Sequence, residues 1–96
     1  MTLRPLLGGL AVTVLTACSM TVVSPRFPDV SIECVGDPGL AEDACRAWGE
    51  EMLRTAPVDT TRLELTYRTG NARCAADYLA GDGRLLMSSA ARCPSP

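Results

Sequence analysis

The sequence predicts an α+β fold in which one helix packs on a small, mainly antiparallel sheet in the order β-α-β-β-β, stapled by two disulfides. Three observations indicate this fold. Polar and apolar residues alternate over 61–68, which is typical of a half-buried strand. Apolar residues recur at helical spacing over 37–55, which predicts an amphipathic helix. Five cysteines occur in 96 residues, and a domain this small needs a covalent staple.

The first strand is predicted at 29–34, where polar and apolar residues alternate. The helix is expected to begin at Asp37 and Pro38, because an aspartate side chain can cap the first turn and proline is tolerated at the first helical position. It should end near Thr55, before Pro57.

One face of this helix is predicted to be apolar and to pack on the sheet. Trp48 is the largest core candidate, and the functional alternative is an anchor for a ligand or a membrane surface. Two ion pairs of about 0.2–0.5 kcal/mol each are predicted at a spacing of four residues, Glu42 with Arg46 and Glu50 with Arg54. The predicted apolar face consists of Leu40, Ala41, Ala44, Cys45, Trp48, Met52 and Ala56.

Three strands follow as an antiparallel meander, at 61–68, 73–80 and about 84–92. The turns between them are predicted at 69–71 and 81–83, since Gly-Asn and Asp-Gly favour positive backbone angles. Leu63, Leu65 and Tyr67 are predicted to form the buried face of the first of these strands. On the second strand, Cys74, Ala76 and Tyr78 are predicted to share one face, and Ala75, Asp77 and Leu79 the other.

The N-terminal segment has the composition of a signal peptide. Arg4 precedes a short apolar run from Leu6 to Leu15. A permanent membrane helix needs about 20 apolar residues, and this run has roughly half that number. A transmembrane anchor is therefore not predicted.

The residues Leu15, Thr16, Ala17 and Cys18 resemble the lipobox of bacterial lipoprotein precursors. In that family the matching cysteine thiol receives a diacylglyceryl group, a signal peptidase cuts before this cysteine, and the new amine can be acylated. The resemblance implies a signal peptide over 1–17, lipidation of Cys18 and anchoring to the extracytoplasmic side of the cell membrane. The alternative is an ordinary secretory signal, cut near Ala17.

The mature chain is then expected to have two parts. Residues 18–28, with the lipidated cysteine and two prolines, are predicted to be a flexible tether. Residues 29–96 are predicted to form the single small domain.

Assigning Cys18 to lipid leaves four cysteines for two disulfides in an exported domain. The preferred pairing is Cys34 with Cys45 and Cys74 with Cys93, because Cys45 lies on the buried helix face beside the first strand. The second possibility is Cys34 with Cys74 and Cys45 with Cys93. A zinc site is not predicted, since closely spaced cysteine pairs and histidine are absent.

No enzymatic function and no cofactor are predicted. The sequence has no histidine, so a Ser-His-Asp or Cys-His arrangement cannot form. The carboxylates of Glu50, Glu51, Asp77 and Asp82 are interpreted as solvated surface. A formal net charge of −2 also argues against a nucleic-acid partner.

The predicted function is that of a membrane-anchored cell-envelope lipoprotein with a small structural or protein-interaction domain. Its expected partners are membrane lipid, through acylated Cys18, and another envelope protein. The alternative is an exported inhibitor or small-ligand-binding module that presents the loops at 69–71 or 81–83. The strand arginines could form a positive patch for anionic lipid or carboxylates, or simply a solubilising surface; they are Arg62, Arg68, Arg73, Arg84 and Arg92.

Overall fold

The computed structural model describes residues 18–70 and 73–94. The predicted signal peptide, 1–17, and Asn71 of the predicted turn lie outside the described residues. Within the described residues, five strands form one sheet in the order β1-β2-β3-β4-β5, and one helix packs on it. The elements are β1 (Cys18–Ser24), β2 (Phe27–Gly36), α1 (Glu42–Leu53), β3 (Arg62–Tyr67), β4 (Arg73–Leu79) and β5 (Leu85–Arg92).

The sheet is mixed, with one parallel pair. Strands β2 and β3 run parallel, and all other neighbours are antiparallel. Parallel neighbours need a crossover connection, and α1 lies in that connection. The predicted architecture of one helix on a mainly antiparallel sheet with two disulfides is confirmed, but the sheet has a fifth strand.

The additional strand is β1, which replaces the tether predicted over 18–28. It pairs with β2 from Cys18 opposite Gly36 to Ser24 opposite Phe27. Val22 on its core-facing side is buried. The sheet therefore begins at Cys18 and not at residue 29.

The helix begins later than predicted. Its first residue is Glu42, and Ala41 occupies the N-cap position. Asp37, predicted as the cap, instead lies in a loop between glycines with φ of 118° at Gly36 and 108° at Gly39. Such positive φ angles are incompatible with a right-handed helix, so the first turn cannot form before Leu40.

The core lies between α1 and one face of the sheet. Trp48 is buried there, as predicted, and meets Tyr67 edge to face at a centroid distance of 6.4 Å. The face predicted to be buried on β3 is buried, and on β4 the buried face is the one that carries Cys74, Ala76 and Tyr78. The largest buried side chains include Tyr78, Ile32, Leu63 and Leu65.

The two disulfides have the preferred connectivity, so the alternative pairing is wrong. Cys34 of β2 bonds Cys45 of α1, with the Cα atoms 6.3 Å apart. Cys74 of β4 bonds Cys93, with the Cα atoms 5.2 Å apart. Cys74 lies opposite Ala91 in the ladder, and Cys93 follows the last residue of β5. The chain beyond the strand is thus free to turn towards Cys74, which a regular ladder would not allow.

Candidate functional site

Cys18 is the one cysteine outside a disulfide in the part of the chain that the structure describes. It is the first residue of β1, which is an edge strand, and it is half-buried. With Met20, Leu40 and Tyr67 it lines a small apolar depression of about 50 Å³. The thiol therefore lies at one corner of the sheet, directly on the folded domain.

The strand register places three of the five strand arginines at the end of the sheet that holds Cys18. We call this the Cys18 end: β1 and β4 begin there, and β2, β3 and β5 end there. Gly36 pairs with both Cys18 and Tyr67, so Cys18 lies in line with the last residues of β2 and β3. The arginines at this end are Arg68, Arg73 and Arg92.

The other two strand arginines lie at the opposite end. Arg62 is the first residue of β3 and pairs with Leu79, and Arg84 directly precedes β5. The candidate patch of five arginines is thus divided into a group of three and a group of two. The antiparallel meander predicted from the sequence already implies this division, because Arg68 and Arg73 flank one turn and Arg84 follows the next. The position of Cys18 at the end with three arginines was not predictable in this way, since it depends on the pairing of β1 with β2.

The Cys74–Cys93 disulfide holds the backbone near the three arginines in place. Arg73 and Arg92 precede these two cysteines and lie directly opposite each other in the ladder. The N–H of Arg68 donates to Sγ of Cys74 at 3.4 Å, and Sγ of Cys93 lies 3.5 Å from the Arg68 carbonyl oxygen. The three arginines are therefore neighbours, and the Cys74–Cys93 disulfide holds their backbone in place.

Two loops at the Cys18 end are joined through Asp37. Its carboxylate accepts the backbone N–H of Thr69 at 2.8 Å and the Thr69 hydroxyl at 3.1 Å. These two hydrogen bonds hold the pKa of Asp37 below its usual value, and the bond from the backbone N–H has the larger effect. The loop before α1 and the loop after β3 are thus held together by an ionised carboxylate.

A groove of about 390 Å³ runs between α1 and the end of β5. Trp48, Met52 and Cys93 contribute apolar lining, while Glu51 and Arg92 contribute charges. Among the described residues, the buried Nε1 of Trp48 has no hydrogen-bond partner. The groove is large enough for a small ligand.

The predicted surface carboxylates each have a distinct environment. Asp77 accepts a hydrogen bond from the Ser88 hydroxyl at 2.6 Å, and Asp82 accepts the N–H of Arg84 at 3.0 Å. Glu51 is exposed. The Glu50 carboxylate accepts a hydrogen bond from the Ser24 hydroxyl. The sequence had predicted an ion pair of Glu50 with Arg54.

The register also creates a row of like charges that sequence reasoning missed. Glu33 pairs with Glu64, and Glu64 pairs with Asp77, on the sheet face opposite α1. Directly opposed like charges destabilise a sheet slightly. Over the described ranges 18–70 and 73–94, no group of acidic or cysteine side chains has the geometry to hold a metal ion.

Comparisons with protein-family models, curated proteins and solved structures found no match. The function of this chain is therefore inferred from its own residues. Within its described residues, no helix has both the length and the apolar character needed to cross a membrane.

Proposed function

We propose that this chain is a membrane-anchored cell-envelope lipoprotein with acyl chains on Cys18. The observation that carries the proposal is the use of the cysteines: four form the two disulfides, and Cys18 alone keeps a free thiol. The resemblance of residues 15–18 to a lipobox assigns the same cysteine. Each buried methylene contributes about 0.8 kcal/mol, so two or three acyl chains would hold the protein at the membrane.

The proposed role of the folded part is structural or protein-binding, without catalysis. Two disulfides and the helix make it stiff, and among the described residues no other element packs on the sheet face opposite α1, so this face is suited to meet another envelope protein. Over the same residues β1 and β5 each pair with one neighbouring strand, so a partner strand can add to either edge.

Mass spectrometry of the native protein, extracted from membranes in mild detergent, tests the anchor. The expected result is a lipid-sized mass increase on the peptide beginning at Cys18, with residues 1–17 removed. Cys18→Ala should abolish both changes, whereas Ser19→Ala should keep them. An unmodified Cys18 in the native protein would overturn the proposal.

The groove beside Trp48 favours a second candidate function, the binding of a small apolar ligand. Its size and mainly apolar lining suit such a ligand better than the exposed loop at 81–83 does. Titration of the full chain with apolar ligands should change Trp48 fluorescence. Met52→Arg should weaken that response, and Leu85→Arg, on an exposed position outside the groove, should not. Equal responses in both variants would contradict the assignment.

A further inference from the structure

We infer that the Cys18 end of the sheet docks on an anionic phospholipid surface, with Arg68 and Arg92 contacting lipid phosphates beside Arg73. The inference deepens the proposed function and rests on it, because acylated Cys18 would bring this end to the membrane. It assigns the three arginines of that end a role that the two at the opposite end do not share.

The first step is the position of Cys18 within the sheet. Since Cys18 pairs with Gly36, acyl chains on its thiol would leave directly from a sheet corner. Strands lie about 4.8 Å apart, so the strand carrying Arg68 is about 10 Å from β1 and the strand carrying Arg92 is about 19 Å away. Because the three arginines lie at the same end of the sheet as Cys18, an orientation with this end towards the membrane brings them to the lipid headgroups.

The second step is the shape of the surface between the arginines. Arg68 and Arg73 line a shallow depression of about 460 Å³ together with Ser88 and Ser89. Guanidinium groups are donors that suit phosphate oxygens. The Ser88 hydroxyl already donates to Asp77 and is not counted among the donors. The disulfide next to Arg68 and the ladder pairing of Arg73 with Arg92 fix the backbone positions of the three arginines before any lipid binds.

The third step is the charge balance near this surface. The carboxylate of Asp37 is occupied by two hydrogen bonds from Thr69. In the first turn of α1, Glu42 and Asp43 both pair with Arg46, at 2.9 and 3.0 Å. Asp37, Glu42 and Asp43 are thus engaged within the protein. At the opposite end, the guanidinium of Arg84 is 4.0 Å from the Asp82 carboxylate.

An arginine close to an anionic membrane strengthens binding about fivefold, so two arginines should contribute about 25-fold at low ionic strength. This contribution should fall with added salt, because the charges are exposed to solvent. Vesicle co-sedimentation measures it directly. The protein tested is the mature chain, residues 18–96, with Cys18→Ala in every version, so that neither acyl chains nor the apolar N-terminal run contribute to binding.

Two matched pairs of variants are compared, Arg68→Gln with Arg92→Gln and, as the control, Arg62→Gln with Arg84→Gln. Vesicles contain phosphatidylcholine alone or with phosphatidylglycerol. The first pair should lose about 25-fold in partitioning to the anionic vesicles, and the control pair should change by less than about twofold. Circular dichroism and an assay for free thiols check that both pairs fold with their disulfides intact.

Equal losses from both pairs, or no preference of the parent chain for anionic vesicles, would overturn the inference. Loss of binding to an acidic envelope protein, with vesicle binding unchanged, would overturn it as well and would assign the arginines to a protein partner. The mass of native Cys18 tests the anchor separately, so the failure of one proposal can be told from the failure of the other.

Discussion

Gly49 of α1 lies directly against Ile32 of β2. A Cβ atom added at Gly49 would be 2.6 Å from Cδ1 and 2.7 Å from Cγ2 of Ile32. Ile32 is fully buried, so its side chain has no space into which it can move. The absence of a side chain at Gly49 thus sets how closely the helix approaches the sheet.

Gly49→Ala should destabilise the protein. Alanine is favoured over glycine in a helix by about 1 kcal/mol, but overpacking a dense core costs about 1–3 kcal/mol. The packing cost should exceed the helix gain and leave a net loss of up to about 2 kcal/mol. Urea unfolding measures the difference.

Two further variants make this prediction specific. Ile32→Val removes Cδ1, so Gly49→Ala should cost less in that background than in the parent chain. Gly70→Ala is the control, because an added Cβ there meets nothing within 4 Å. A stability loss at Gly70 equal to that at Gly49 would contradict the packing explanation.

The Cys34–Cys45 disulfide closes the shorter loop, and yet its removal should destabilise the protein more than removal of the Cys74–Cys93 disulfide. The cysteine separations of 11 and 19 residues correspond to about 2.75 and about 3.25 kcal/mol of loop-closure entropy, a difference of only about 0.5 kcal/mol. Cys34 and Cys45 are both buried between helix and sheet, whereas Cys93 is half-buried. Replacing the buried pair by alanine also leaves a cavity, so it should lower stability more.

Thermal unfolding of the two double variants measures this order. The variant lacking Cys34 and Cys45 should have the lower melting temperature. A lower melting temperature for the variant lacking Cys74 and Cys93 would show that the length of the closed loop dominates.

Ser24→Ala should loosen β1 selectively. The fully buried Ser24 hydroxyl donates to the Glu50 carboxylate and accepts the N–H of Arg26 at 3.1 Å. A hydrogen bond to a charged group contributes about 1.5–3 kcal/mol, so its loss should speed amide hydrogen exchange in β1. Ser19→Ala, at an exposed position of the same strand, is the control. Uniform acceleration across all five strands would contradict a local effect.

Stability should fall at acidic pH in part through Asp37. Its pKa is lower in the folded state than in the unfolded chain, mainly because of the backbone hydrogen bond from Thr69. The carboxylate therefore stabilises the fold above the usual aspartate pKa of about 3.9, and this contribution is lost as the pH falls through the lower folded pKa.

Asp37→Asn should remove this part of the pH dependence. Thr69→Val should remove a smaller part, because it keeps the backbone donor. Unfolding experiments between neutral and strongly acidic pH measure both. If the stability of Asp37→Asn falls at acidic pH as much as that of the parent chain, the assignment of this pH dependence to Asp37 is wrong.

The strands and the helix were predictable because their apolar residues alternate or repeat at helical spacing. Leu63 and Leu65 are fully buried on β3, as the period of two requires. The helix start was misplaced because Asp37 and Pro38 resemble a cap, while Gly36 and Gly39 adopt positive φ angles that propensity alone does not reveal.

Strand β1 was missed because its two flanking prolines suggested a tether. Pro25 lies in the turn, and Pro28 lies next to that turn near the start of β2, both positions that a sheet tolerates. The alternation of Met20 and Val22 with Ser19 and Thr21 was the available signal. The division of the arginines between the two ends was implied by the predicted meander, but the place of Cys18 beside three of them depends on the pairing of β1 with β2.

The place of Cys18 in β1 has a consequence for the order of maturation. Processing as proposed requires residues around Cys18 to enter a peptidase in extended, unpaired form, so the bond between Ala17 and Cys18 must be cut before Cys18 pairs with Gly36. Because β1 is an edge strand, it can stay open while the other four strands remain paired. Closure of the sheet would then be the last event in the biogenesis of this protein, and it would take place at the membrane surface.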